Sequence, residues 1–493
     1  MPLLHVEQFA ELNLVHWRVE VGENDDANPL LTPAMPWDEG GVMAHGTVAF
    51  DPIDRKWKAW QISTPKDVPD KELEVRHARE RRLTYLESPD GLRWIRPALD
   101  AAKWPGYDRT NIILEHSSGG TATYASVIIH PDRKEYPYEL FIFRTPREGS
   151  PSGTVPGRPK PEKRPRGLYR YRSADAIHWE VFDGPIDIAP SDVCYIYRRP
   201  GGGYVAYYKV NKEPKAHNRL IIYDNNNTII RAVAMRTSED GSNWSQEKTV
   251  LEADWRDPQD TQFLELCPVE VPGGFVAFAT TYSPILQTMF PQIAVSRDGI
   301  NWWMPDRRPA LHNPPLGDWG AGMIWQMKDP IVFGDDLFLY YGGVEGLHGE
   351  ILDSRFGPRL AARGETVIGR RTPTLPFSSA LCRARWNFHR LYALVPSAGG
   401  PVEGRAVTHD LRNLAGRGVE VNVLAKSPGS FTAALLDASG KAIAGFTRAE
   451  CQPVQGDHSR IALRWTGGDR APQNAVRVAF HLHRSFLYGF ELK

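Results

Sequence analysis

Ser296-Arg297-Asp298-Gly299-Ile300-Asn301-Trp302 is one of four related stretches in this chain. Ser238-Glu239-Asp240-Gly241-Ser242-Asn243-Trp244 and Ser88-Pro89-Asp90-Gly91-Leu92-Arg93-Trp94 repeat it, and Ser173-Ala174-Asp175-Ala176-Ile177-His178-Trp179 is a degenerate copy. Each follows a short alternating strand such as Gln292-Ile293-Ala294-Val295. The residue types predict a hairpin turn: Asp-Gly supplies positive φ, the Ser and Asp side chains bond to turn backbone, and the Trp packs inward on the return strand. Four such turns at long, irregular intervals predict a repeat architecture.

Each turn closes a unit of strand, turn, strand and third strand. The first unit is Gly46-Thr47-Val48-Ala49-Phe50, a turn at Asp51-Pro52-Ile53-Asp54, and Lys56-Trp57-Lys58-Ala59-Trp60. Equivalent pairs begin at Ala125, Val193, Phe263 and Asp329, the last with Trp386-Asn387-Phe388 in place of the motif. Units that cannot bury their own faces stack radially, so the expected fold is all-β: a five-bladed β-propeller over residues 1–400 with an N-terminal extension. After Pro401 the pattern shifts to strands such as Val419-Glu420-Val421-Asn422-Val423-Leu424, which predicts a β-sandwich over 401–493. The best helix signal is the charged stretch 70–82, and long loops at 145–166 and 345–376 are expected to narrow one mouth of the funnel.

Composition bounds the chemistry. Lys plus Arg and Asp plus Glu both number 59, so the net charge is zero and no basic run suggests nucleic acid. Aromatics make up 11% of the chain, a supply that both hairpin packing and stacking against sugar rings would use. The scattered Cys194, Cys267, Cys382 and Cys451 form no CxxC pair and read as buried small hydrophobes, with no metal and no cofactor expected. No signal peptide or membrane span is visible, so a cytoplasmic protein is expected; its oligomeric state is left open.

In a propeller the inner strands converge on a central channel. Counting about seven residues back from each first hairpin turn gives His45, Tyr124, Asp192, Glu265 and the Met327-Lys328-Asp329 segment, with Ser126, Asp260 and Gln262 adjacent. Glu265 lies inside the apolar run Phe263-Leu264-Glu265-Leu266-Cys267, where an unpaired charge is costly. A ring of carboxylates suits glycoside hydrolysis, one acid protonating the leaving oxygen and a second carboxylate acting as nucleophile or base. Asp192, Glu265 and Asp260 are therefore the candidate catalytic residues. His45, Tyr124, Arg256, Asp257, Gln262, Trp319, Trp325 and His348 are candidates for substrate binding; a structural ion pair or core packing would explain several of them equally well.

With Asn28-Pro29-Leu30-Leu31, His45-Gly46-Thr47-Val48, the Ser-x-Asp-Gly-x-x-Trp turns, Arg256-Asp257-Pro258 and Glu265-Leu266-Cys267-Pro268, residues 28–395 resemble the five-bladed β-propeller glycosidases of the invertase, levanase and arabinanase type. The resemblance implies a sugar-cleaving site in the propeller funnel, built from carboxylates on the inner strands of different blades; the activity expected is an exo-acting hydrolase of oligo- or polysaccharides. That group's Asn-Asp-Pro-Asn-Gly signature is absent, and His45 stands where its first-blade Asp would be, so the chain reads as a divergent member. Two alternatives stand beside it: a polysaccharide lyase using His45, Tyr124 and Arg256 on a uronate, and a non-catalytic carbohydrate-binding propeller. A WD-repeat scaffold is disfavoured by the missing Trp-Asp endings and regular period.

Overall fold

The computed structural model describes residues 4–39, 41–64, 81–114, 121–145, 167–186, 188, 193–213, 230–348, 379–397 and 403–493. The stretch 70–80 of the expected helix lies outside them, and Arg82 opens a strand instead. Most of loops 145–166 and 345–376 also lies outside.

The described chain is all-β and divides into several sheets. Three are four-stranded and antiparallel. One holds Gly41–Asp51, Lys56–Thr64, Arg82–Ser88 and Ile112–Leu114; the next holds Thr121–Ile129, Tyr138–Thr145, Gly167–Ser173 and Glu180–Ile186. The third holds Cys194–Arg198, Tyr204–Lys212, Ile230–Ser238 and Lys248–Leu251. An eight-stranded sheet begins with Gln262–Val271, Gly274–Ser283 and Thr288–Ser296. A parallel contact of Met289 with Met323 joins these to Met323–Gln326, Asp336–Val344 and Ala380–Asn387. Its last strand is Glu23–Asn24, from the start of the chain, paired with Ala384 and Arg385. In a seven-stranded sheet, Phe9–Asn13 and Val15–Val19 join Tyr392–Pro396, Gly404–Thr408 and the long strands Val419–Leu436 and Arg477–Leu492.

One expected strand differs. The unit read as starting at Asp329 starts earlier, at Met323–Gln326, and resumes as Ile331–Phe333, both segments pairing with Asp336–Val344. The interruption falls at Asp329, whose φ of 63° and following Pro330 remove it from the ladder.

The four turn motifs form as their residues dictate. Gly91, Ala176, Gly241 and Gly299 all have φ between 70° and 82°. In each copy the Ser hydroxyl accepts from the backbone N–H of that residue, at 2.8–3.0 Å. In each copy, too, the Asp Oδ1 accepts from the next two N–H groups. Slight burial works against ionising Asp298, but the N–H groups of Asn301 and Ile300 outweigh it and bring the carboxyl down to about 2.

The turns also hold neighbouring sheets together, through buried donors. Trp60 Nε1 donates to Ala176 O at 3.0 Å, Arg170 Nη1 to Asp240 O at 2.8 Å, Tyr207 OH to Gly299 O at 2.6 Å and Tyr340 OH to Gly91 O at 2.7 Å. Each sheet thus grips the turn of the next, and Tyr340 returns the circuit to the first sheet. Where the motif is missing, Trp386 stacks on Phe278 at 4.6 Å and donates to Ala310 O.

A Cβ added at Gly241 would sit 2.8 Å from Arg170 Cζ on a backbone at φ 82°. Gly241→Ala is therefore expected to cost about 2–3 kcal/mol, from the left-handed conformation and the displaced guanidinium together. Denaturant titration beside the wild type checks it.

The four cysteines are buried and free, as their scatter suggested. Among the described residues no helix is long and apolar enough to cross a membrane.

Candidate functional site

Three first strands are irregular at the same level. Pairing of Gly41–Asp51 with Lys56–Thr64 shifts between Met43 and Thr47, and that of Thr121–Ile129 with Tyr138–Thr145 shifts between Thr123 and Ser126. In Gln262–Val271 the shift falls between Phe263 and Glu265. His45 at φ 39° and Tyr124 at φ 53° occupy two of these bulges. A bulge re-aims a side chain, and non-glycine residues in the left-handed region persist only where their surroundings over-determine them. Here the bulges point His45, Tyr124 and Glu265 at one another.

Glu265 is the centre. Its side chain is 1% exposed. Oε1 accepts from Tyr124 OH at 2.8 Å, and Oε2 accepts from the Thr280 hydroxyl at 2.5 Å. Gln326 Nε2 donates to the same Thr280 hydroxyl, also at 2.5 Å, which fixes the direction of the Thr280 proton towards the carboxylate. His45 Nδ1 stands 3.7 Å from Oε1, beyond hydrogen-bond length. Its ring lies between Tyr124 (centroids 4.4 Å apart) and Trp325 (5.0 Å). Tyr195 completes the floor, edge-on to Tyr124 at 5.0 Å and donating to Gln326 O at 3.1 Å. Burial, and after it the charge of Glu265, push the Tyr195 phenol well above its usual value, so it remains a neutral donor.

A second cluster adjoins the first along the same strand pair. Gln262 Oε1 accepts from the buried Arg231 at 2.7 Å, and the guanidinium lies 5.3 Å from the Tyr282 ring. Tyr282, cross-strand from Gln262, contacts His348 Nδ1 at 3.3 Å. Asp260 accepts from the Ser283 hydroxyl and from Ile285 N–H, which fastens the loop before this strand to the turn after its partner.

The structure thus gathers His45, Tyr124, Glu265 and Trp325 into one cluster, with Gln262 and His348 in the neighbouring one. It does not bring Arg256 and Asp257 to them. Arg256 is exposed and pairs with Asp254 at 2.7 Å, and Asp257 pairs with Arg307 at 3.4 Å. Burial raises the Asp257 carboxyl above its usual range despite Arg307. Trp319 is partly buried against the hydrophobic core, its backbone packed close to Gly343. Ser126 accepts from Ile196 N–H and is a strand-to-strand tie. Asp192 lies outside the described residues. The Met327-Lys328-Asp329 segment is not level with Glu265; Trp325 and Gln326 hold that level, and Lys328 and Asp329 line a cavity with Tyr197, Phe50 and Val269. Among the described residues no group of three or more His, Cys, Asp or Glu is placed to hold a metal.

Sequence reading missed Thr280, Gln326, Arg231 and Tyr282. For Thr280 a signal existed: the apolar run Phe275-Val276-Ala277-Phe278-Ala279 ends in Thr280-Thr281-Tyr282, directly across the hairpin from Glu265.

No protein-family model matches the chain, and no curated protein does. Among solved structures it resembles a β-1,2-mannobiose phosphorylase from Listeria innocua, at 12% identity and TM-score 0.46, over 75% of this chain and 98% of that one. It also resembles a thermostable family-43 glycoside hydrolase, at 12% identity and TM-score 0.40, over 64% and 87%. An N-acetylgalactosamine deacetylase from F. plautii, in complex with blood group B trisaccharide, matches at 15% identity and TM-score 0.43, over 79% and 94%. The chain is similar to glycoside hydrolases and mannoside phosphorylases in the path of its backbone, and the likeness stops there.

Proposed function

We propose that this chain is a glycoside hydrolase whose site is centred on Glu265, in the channel of a five-bladed propeller spanning 1–400, with 401–493 as an appended β-sandwich. The observation that carries this reading is the Glu265 carboxylate itself. It is buried at a bulge of an inner strand, accepts from Tyr124 and Thr280, and faces His45, groups that come from separate sheets. Burying a carboxylate is expensive, and this one is met by two hydroxyl donors and an imidazole 3.7 Å away, with no Lys or Arg among its hydrogen-bond partners given above.

In this reading Glu265, presented as an acceptor by two hydroxyl donors, serves as base or nucleophile. Asp192 or Asp260 supplies the proton to the leaving oxygen. His45 and Trp325 offer ring surface to a sugar, and Arg231, Gln262 and His348 offer hydrogen bonds to its hydroxyls. Action from a chain end remains part of the proposal.

One observation favours a second reading, a lyase acting on a uronate. His45 and Tyr124, the two residues this scheme would use to abstract the proton, lie together with ring centroids 4.4 Å apart, and the buried Arg231 would neutralise the carboxylate in place of the exposed Arg256. Nitrophenyl furanosides and pyranosides, assayed alongside uronate-containing oligosaccharides, decide between the two. The hydrolase reading expects nitrophenol or reducing-sugar release that Glu265→Gln lowers by at least about 10²-fold. An ultraviolet absorbance from an unsaturated uronate, lost in His45→Ala, would replace it with the lyase. Binding without turnover of any glycan would sink both.

A further inference from the structure

The inner strands have two ends, and the Glu265 cluster uses only one. Gly41–Asp51 carries His45 near its start and Phe50 near its end; Thr121–Ile129 carries Tyr124 and then Ile128; Gln262–Val271 carries Glu265 and then Val269. Five residues of strand separate His45 from Phe50, roughly 16 Å. At these far ends Phe50, Ile128, Val205 and Val269 wall a cavity of about 750 Å³. That volume lies within the range of small-molecule sites.

The floor is polar where the walls are not. Lys328 is 4% exposed, pairs with Asp329, and lies over the Tyr197 ring at 4.7 Å. Asp329 lines the cavity with a third of its side chain exposed, and its backbone sits at φ 63° beside Pro330. A strained non-glycine residue that sets a carboxylate into an apolar cavity is poor scaffold design, because a hydrophobic pair of similar volume would serve stability as well or better.

We propose that this cavity is a second ligand site, for a small uncharged molecule carrying neighbouring hydroxyl groups on an apolar body. The Lys328–Asp329 pair is neutral as a unit, so a charged ligand would have no counter-charge on the floor. The rim guanidiniums are engaged: Arg199 with Glu239 at 2.8 Å, Arg297 with Glu7 at 3.5 Å, and Arg198 against His130 at 3.4 Å. What the floor offers is an ammonium donor and a carboxylate acceptor side by side. A vicinal diol matches that pair, one hydroxyl accepting from Lys328 Nζ while the other donates to Asp329. The apolar remainder of the ligand covers Phe50, Ile128 and Val269. Lys328 N–H donates to Gly46 O, next to His45, so the floor of this cavity backs onto the Glu265 cluster, but the proposal does not rest on the reaction there.

The test is calorimetric titration of the full chain with a panel of uncharged nitrophenyl and octyl thioglycosides, whose sulfur linkage resists hydrolysis. Val269→Trp fills the cavity from its wall, and Asp329→Asn removes the charged acceptor; melting curves confirm that both variants fold. The expected result is binding weakened about tenfold or more in each, the scale of one hydrogen bond to a charged group, and unchanged in Glu265→Gln. Absence of binding across the panel overturns the proposal. So does binding that survives Val269→Trp and disappears in Glu265→Gln. A purified dimer that binds the probes only after dissociation would make this face an interface between two copies, and would overturn it as well.

Discussion

Glu265→Gln is expected to lower turnover on a cleavable glycoside by at least about 10²-fold and by as much as ~10⁴-fold, the range that acid–base groups contribute. The substitution keeps the side-chain shape but removes the charge, and it turns one oxygen into an amide donor. Two hydroxyls converge on the native carboxylate, Tyr124 on Oε1 and Thr280 on Oε2. An amide can accept from only one of them and meets the other donor with a donor. The Thr280 proton cannot simply turn away, because Gln326 donates to that hydroxyl from behind. Folding should survive, since the substitution keeps the side-chain shape and removes a buried charge. Kinetics with circular dichroism on the same sample check both halves. Full activity in the variant would remove Glu265 from the mechanism.

The second large effect concerns stability. Glu139 is a buried carboxylate at a junction of two sheets. Its Oε1 accepts from Arg170 Nε at 3.0 Å and Nη2 at 2.5 Å, and its Oε2 accepts from Tyr204 OH at 2.8 Å and contacts His130 Nε2 at 3.0 Å. Burial alone would raise its pKa. The His130 hydrogen bond and the charge and hydrogen bonds of Arg170, with Tyr204, outweigh burial and carry the carboxyl from 4.5 down to about 2. A carboxyl depressed on folding stabilises the fold fully above its unfolded value and loses that contribution as pH falls through the folded one. The contribution is about 3 kcal/mol at neutral pH, lost between roughly pH 4.5 and pH 2. Glu139→Gln, a permanent mimic of the protonated acid, is expected to unfold about 3 kcal/mol more easily at pH 7 and to match the wild type near pH 2. Denaturant midpoints measured across that range check it; a difference that does not change with pH would refute it.

What the sequence made legible was local. The Ser-x-Asp-Gly-x-x-Trp turns carry their whole mechanism within seven residues, and even the degenerate copy keeps it, with Ala176 held at φ 70°. Glu265 stood out because a carboxylate inside Phe263-Leu264-Glu265-Leu266-Cys267 contradicts its surroundings. Counting back from the hairpin turns also reached His45 and Tyr124, because the first strands have similar lengths. The count failed at the interrupted strand 323–333, where a left-handed Asp329 shifts the register and moves Lys328 and Asp329 towards the far end. Gln326 and Arg231 had no local signal: a glutamine after Trp325 and an arginine before Ala232 are ordinary until another sheet buries them. Arg256 and Asp257 misled for the converse reason. Arg-Asp-Pro reads as a site motif, yet Asp254 and Arg307 bind both residues where they lie.

The pairing of Glu23–Asn24 with Ala384 and Arg385 has a consequence in time. Arg383 also holds Asp25 across 358 residues of chain. A ribosome adding 5–20 residues per second makes these partners roughly 20 to 70 seconds apart. For that interval the first-made segment has no edge to join, and the four-stranded sheets emerge as an open arc. Closure therefore waits on the last sheet of the circuit, so stalled or truncated synthesis before about residue 387 would yield open chains with a bare strand edge, the form most prone to pair with another molecule.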